Sequence, residues 1–381
     1  MRRLRQCLAC LIVLVTAFAC GTGGPSLGAA PTVAPFKVGV ILGVTGATGN
    51  LGQHELDGAR LAVVAINGTG GVGGHPLEIV FEDDAGVPDN AVNAFNHITT
   101  DPAVLAIFGS TLGTNTDAIL PLAQRVGILV LAPNSTYDIT HHGNPWVFRI
   151  AVPANVEVEA LTALLKEQRL TRIAILNSTD AYGSQGADLI AKQSGFTVVA
   201  HESFPLTASD VTVQLTKIRA ANPQALVLWG SAPLVGVALR NAAQLGMTIP
   251  TFSGLAADNP GNIKAAASAT TLAHWLVEGV LDAANPLPRQ RQGFAAIKGK
   301  YGYDPDIFAA VGWDAMFVLA RALGKAGAQP TRQSLQAAMT TISNFPGLAG
   351  VYTWTNTYRD GTGISSLIWL KVQDGAFVRA F

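Results

Sequence analysis

The sequence predicts an α/β protein built as two doubly wound, parallel-sheet lobes. Three observations carry this. The chain has 381 residues, too many for one small domain, so two lobes of ordinary size are expected. Short β-rich runs alternate with stretches of helical apolar spacing. The alternation comes in two successive series, and strand, helix, strand order demands parallel sheets covered on both faces.

Composition narrows the function classes. Lys+Arg and Asp+Glu both number 25, so the formal net charge is zero, and no basic cluster follows the N-terminus. That argues against nucleic-acid binding driven by a basic field. Hydrophobic residues make up 49% and charged residues 13%, a balance that rules out a disordered chain. No stretch after the N-terminus reaches the ~18 consecutive apolar residues of a membrane span.

The first element is a targeting segment, residues 1–19. Arg2, Arg3 and Arg5 precede the uncharged, apolar run Cys7 to Ala19, too short to span a bilayer but suited to a signal-peptide core. Ala17-Phe18-Ala19-Cys20 supports two readings: ordinary Ala-x-Ala cleavage, or a lipobox with Cys20 as the lipid-attachment site. The usual Leu three residues before that Cys is absent. Cys7 and Cys10 leave with the signal, so Cys20 has no disulfide partner, which favours the lipid anchor. Residues 20–35 are rich in Gly, Pro, Ser, Thr and Ala and read as a flexible tether.

From Phe36 the first series runs strand Lys37–Leu42, helix Glu55–Ile66, strand Leu77–Phe81, helix Asp89–Thr100, strand Val104–Phe108, helix Thr116–Arg125 and strand Ile128–Leu131. The second runs helix Val156–Gln168, strand Arg172–Leu176, helix Gly186–Ser194, strand Thr197–Ser203, helix Val211–Ala221, strand Ala225–Trp229 and helix Val235–Leu245. In the tail, Arg289–Tyr301, Ile307–Ala326 and Thr331–Thr341 have helical spacing. Val351–Trp354, Leu367–Val372 and Phe377–Arg379 have strand character. The tail is too small for a third domain and is expected to divide between the lobes, so the chain crosses between them more than once.

Ligands of parallel sheets bind beyond the carboxyl ends of strands, near helix N-termini. Four such exits are polar: Gly109 to Thr116, Pro133 to Thr136, Asn177 to Gly183, and Gly230 to Pro233. Each alone reads equally as helix capping, and Tyr182 as packing on its own helix. Four together, two per series, form a pattern that capping does not predict.

Residues Gly58-Ala59-Arg60-Leu61-Ala62, Ile66-Asn67, Gly70-Gly71-Val72-Gly73-Gly74 and Leu77 to Val80 with Asp83-Asp84 resemble the bacterial leucine/isoleucine/valine-binding protein family. These are type I periplasmic solute-binding proteins of ABC importers. Ala181-Tyr182-Gly183, Thr216 to Pro223, Trp313-Asp314-Ala315, Gly347 to Gly350 and Asp374 to Phe377 extend the resemblance over nearly all of residues 36–381. It implies lobes joined by a three-crossover hinge, with passages near residues 150, 278 and 350. The expected N-terminal lobe is then 36–149 with 279–349, and the C-terminal lobe 150–278 with 350–381. It also implies a small-molecule ligand, permease partners, a monomer, and no cofactor or metal.

Binding positions implied by the resemblance are Leu51 at the cleft rim and Leu112, Gly113 and Thr114 as receivers of a ligand carboxylate. Asn134, Ser135 and Thr136 hold the head group, and Tyr182 closes over it. Ser231 replaces a common Tyr, and Gly113 a common Ser. The main departure is at Ala256, in Ser253-Gly254-Leu255-Ala256-Ala257, where many amino-acid binders carry an acid. Asp258 is the nearest acid, yet Asp258-Asn259-Pro260 also reads as a helix start, with Asn259 capping. The ligand expectation therefore stays open between an amino acid and an amine-free carboxylate or amide. Asp83-Asp84 reads as a strand-end turn, and the histidines lack zinc spacing. Phosphate-loop, nucleophile-elbow and nicotinamide motifs are missing. A transport receptor leads; a sensory module of the same fold and an α/β oxidoreductase are the rivals.

Overall fold

The structure is a computed structural model that describes residues 33–267 and 269–381. The signal segment and Cys20 lie outside the described residues.

The first sheet is wholly parallel. The chain runs β1 (Phe36–Leu42), α1 (Gly49–Gly68), β2 (Leu77–Asp83), α2 (Pro88–Thr99), β3 (Val104–Gly109), α3 (Gly113–Val126), β4 (Leu129–Ala132) and β5 (Val147–Arg149). The strand order is β2-β1-β3-β4-β5. Side-chain alternation along β1 builds a core on each face: Val38, Val40 and Leu42 point to one, Ile41 to the other. Helix α1 begins six residues before the predicted Glu55, since glycines and polar residues in its first turn carry no apolar period.

The second sheet begins after the first passage between lobes. It follows α4 (Ala154–Glu167), β6 (Arg172–Ser178), α5 (Ala181–Ala191), β7 (Thr197–Phe204), α6 (Thr212–Ala220), β8 (Ala225–Trp229), α7 (Leu234–Gln244), β9 (Thr251–Ser253), α8 (Pro260–Ala266) and β10 (Trp275–Gly279). Strands β5, β9 and β10 escape sequence reading because three to five buried residues carry no usable period. Helix α5 starts at Ala181, five residues before the predicted Gly186, with Asp180 at its N-cap.

The chain then returns as α9 (Arg291–Tyr301), α10 (Ile307–Ala326), α11 (Arg332–Met339) and the two-stranded ladder of β11 (Phe345–Pro346) with β12 (Val351–Tyr352). The core of the first lobe takes in side chains from all three helices, with Tyr352 and Trp354. This corrects the expected third passage near residue 350. The Tyr352 hydroxyl donates to Asp314 on α10 at 2.8 Å, and Trp354 Nε1 donates to the Arg149 carbonyl at 2.9 Å. These bonds hold the chain to the first lobe past Trp354, and the passage comes before β13 (Ile368–Gln373).

Strands β13 and β14 (Ala376–Arg379) join the second sheet antiparallel, giving the order β14-β13-β10-β9-β8-β6-β7. The two-residue turn Asp374-Gly375 has positive φ at both positions, the geometry of a tight hairpin, which parallel pairing cannot use.

Candidate functional site

The carboxyl ends of both sheets open onto one cavity between the lobes. The first lobe lines it with Leu51 on α1, Thr111 to Gly113 at the start of α3, Pro133 to Ser135 after β4, and Ile307, Phe308 and Val311 on α10. The second supplies Asp180, Tyr182, Ser231, Leu255 and Ala256, and Ala151 comes from the first passage. The cavity is narrow, about 40 Å³, room for a few waters, and mostly apolar. The lobes meet at the rim. Asn259, the N-cap of α8, accepts from Asn50 of the first lobe at 3.0 Å and donates to Asp306 at 2.6 Å. The Asp138 amide of the first lobe donates to Gln185 of the second at 3.2 Å.

Of the residues named from sequence, Leu51, Leu112, Gly113, Asn134, Ser135, Tyr182, Ser231 and Ala256 line this cavity. Three do not. Thr114 is half-buried on the first turn of α3 and turns toward Asn115. Thr136 lies behind the wall. Its Oγ1 is buried without a partner, and a Cβ on Gly113 would come within 1.8 Å of it. The glycine at 113 thus makes room for the Thr136 hydroxyl. Asp258 is the third, and its expected place in the cleft is corrected: it is buried and borders a separate groove with Tyr303 and Asp306. Burial, with Asp306 nearby, pushes its carboxyl well above the usual carboxylate range. Its neighbour Asn259 accepts from the Gly261 amide with Pro260 following, the helix start that the residue pattern suggests.

Each loop is braced from behind. Asn134 Nδ2 donates to the Ser110 carbonyl at 3.0 Å and to Thr116 Oγ1 at 2.9 Å, tying two strand exits together. Leu112, the N-cap of α3, offers no side-chain acceptor to the first amides of the helix. Asp83 and Asp84 accept from the amides of Ala85 and Gly86 and shape the turn after β2. The Tyr182 hydroxyl donates to Glu157 Oε2 at 2.7 Å, and the Leu255 amide donates to the same oxygen at 2.9 Å. Tyr182 therefore offers the cavity its ring, stacked on Trp229 with centroids 5.5 Å apart.

Sequence reasoning did not single out Asp180, Thr111, Ile307 or Val311. Asp180 stands two residues before Tyr182 in a loop already flagged as a polar strand exit, which is the signal that could have found it. Thr111 likewise stands in a flagged strand exit, Gly109 to Thr116. Its hydroxyl donates to Glu55 Oε2 at 2.6 Å and accepts from the Gly43 amide at 3.2 Å.

Burial, with Asp84 and Asp306 adding to it against the Thr111 bond, pushes the Glu55 carboxyl up to about 8. Below its unfolded value of 4.5 the acid is neutral in both states. As pH rises above that, the unfolded chain releases a proton that the folded chain keeps, so stability falls by about 1.4 kcal/mol per pH unit until pH 8. Glu55→Gln removes this slope. Urea midpoints of wild type and variant should coincide near pH 4.5, with the variant's clearly higher at pH 8. A wild-type midpoint at pH 8 equal to or above the variant's counts against a neutral Glu55.

Two sheet-centred lobes that close on a cavity through three passages of chain define a hinged solute-binding protein. The chain belongs to the periplasmic binding protein family, whose model matches residues 35–376. It is 27% identical over 297 residues to a leucine-, isoleucine-, valine-, threonine- and alanine-binding protein of Pseudomonas aeruginosa, covering 77% of this chain and 79% of that one. It is 25% identical to a Leu/Ile/Val-binding protein homologue of Brucella melitensis, covering 86% and 89%. Among solved structures, an extracellular ligand-binding receptor from Rhodopseudomonas palustris superposes with a TM-score of 0.82 at 24% identity, covering 92% of this chain and all of that one.

Proposed function

We propose that this protein is the exported receptor of an ABC importer, and that it captures an aliphatic α-amino acid between its lobes. It acts as a monomer, tethered outside the cytoplasmic membrane through a lipid on Cys20. The observation that carries the ligand reading is the lining of the cavity. Leu51, Leu112, Ile307, Phe308 and Val311 offer an aliphatic side chain an apolar wall. The start of α3, which no side chain caps, borders the cavity at Leu112 and Gly113, and its first amides are donors suited to a carboxylate. Ligand bridging both lobes favours the closed form, and the permease reads that form.

Thermal shift and calorimetry test this. Leucine, isoleucine or valine should raise the melting temperature by mass action. Stabilisation only by amine-free carboxylates or amides overturns the amino-acid reading and makes the protein a receptor for those compounds. The tether has its own test: Cys20→Ala should move the protein from the membrane to the soluble fraction.

A further inference from the structure

We infer that Asp180 is the acid that receives the ligand's ammonium group, doing from the start of α5 what Ala256 cannot do from the loop after β9. The inference rests on the amino-acid reading above and specifies it.

Among the described residues lining the cavity Asp180 is the one carboxylate, and none is Lys, Arg or His. It is 6% exposed. As the N-cap of α5 it stands at the first-turn amides of Tyr182 and Gly183, which favour its ionised form although no well-formed cap bond closes. It also accepts from the Ser178 hydroxyl through Oδ1. The positive end of the helix dipole favours its ionised form, while burial raises its carboxyl above the ordinary value. A desolvated carboxylate with no cation beside it is unfavourable, so a cationic ligand group is its natural complement.

The neighbouring acids do not compete. Asp258 faces the other groove. Glu157 and Glu278 are fully buried and do not line the cavity, and Glu157 already spends Oε2 on Tyr182 and Leu255. With Asp180 in the second lobe and the start of α3 in the first, a zwitterion places one charge on each lobe. Closure is then coupled to the presence of both ends of an amino acid, and an acid without the amine leaves Asp180 unpaired.

The test is calorimetric titration of purified wild type, Asp180→Asn and Glu278→Gln with leucine, isoleucine and valine, and with 4-methylpentanoate, leucine without its amine. Asp180→Asn should weaken binding of the amino acid at least 100-fold and leave 4-methylpentanoate unchanged or tighter. Glu278→Gln should hold the amino acid within a few-fold of wild type. Amino-acid affinity within threefold of wild type in Asp180→Asn overturns the inference while the amino-acid reading stands, as does a large loss confined to Glu278→Gln. A wild type that binds 4-methylpentanoate and no amino acid overturns the amino-acid reading, and the inference falls with it. Should Asp180→Asn fail to fold, Asp180→Ser replaces it, alone and combined with Ala256→Asp. The double variant should regain amino-acid binding that Asp180→Ser lacks, and equal binding by Asp180→Ser and wild type refutes the role.

Discussion

Gly312→Ala should destabilise the protein by about 2–4 kcal/mol, although alanine is the better helix former by about 1 kcal/mol. Gly312 sits where α10 crosses α1. A Cβ there would lie 1.9 Å from the Glu55 carbonyl oxygen and 3.1 Å from the Ala59 amide nitrogen. The crossing is reciprocal: a Cβ on Gly58 of α1 would lie 2.0 Å from the Ala309 carbonyl oxygen. Both obstacles are backbone, so no side chain can swing aside and the helices must part. Gly299 of α9 is the control, because a Cβ there meets nothing within 4 Å. Gly299→Ala should stabilise by about 0.5–1 kcal/mol. Urea denaturation of the three proteins decides it; equal or increased stability of Gly312→Ala removes the close crossing. Since Ile307, Phe308 and Val311 reach the cavity from the start of α10, Gly312→Ala should also weaken ligand binding.

The second large effect is expected at Arg149. This guanidinium is fully buried at the end of β5, just before the first passage between lobes. Its Nε donates to Asp360 at 2.9 Å, while Nη1 and Nη2 donate to the carbonyls of Asn134 and Tyr137 at 2.8 and 3.0 Å. Asp360 precedes the third passage, and the Arg149 amide donates to the Arg359 carbonyl at 2.8 Å. One side chain thus ties two passages of the hinge to the Asn134 loop of the cavity. Arg149→Met takes the guanidinium from the Asp360 carboxylate, which keeps the Thr140 hydroxyl as a donor but no buried cation, and from two carbonyls, at a cost of about 3–5 kcal/mol. Arg149→Lys should recover little, because an ammonium cannot reach all three acceptors in the guanidinium fork. Arg149→Met with Asp360→Leu should be less destabilised than the sum of the single changes. A loss below about 1 kcal/mol in Arg149→Met would show that the hinge does not depend on this group.

Much of the architecture is legible in the residues because parallel sheets covered on both faces write strong periods. Val38, Val40 and Leu42 read as a strand at once. Leu51, Gly113, Ser135, Tyr182 and Ser231 could be named because strand exits and helix starts advertise themselves through glycine and hydroxyl residues. Asp258 shows the limit. Its place in the sequence puts it beside Ala256, yet a tight turn over Leu255–Ala257 sends its side chain to the opposite groove.

By itself the sequence determined the class of fold, the number of lobes, the loops that border the cavity and the absence of an acid at Ala256, all local in chain or periodic. Only the tertiary structure decided which carboxylate faces the cavity, that Thr136 occupies the space a side chain at 113 would need, and that the chain stays with the first lobe past Trp354. These depend on side chains from distant segments meeting in one low-dielectric place, where burial and partners, rather than sequence position, set which groups are charged and which are bonded.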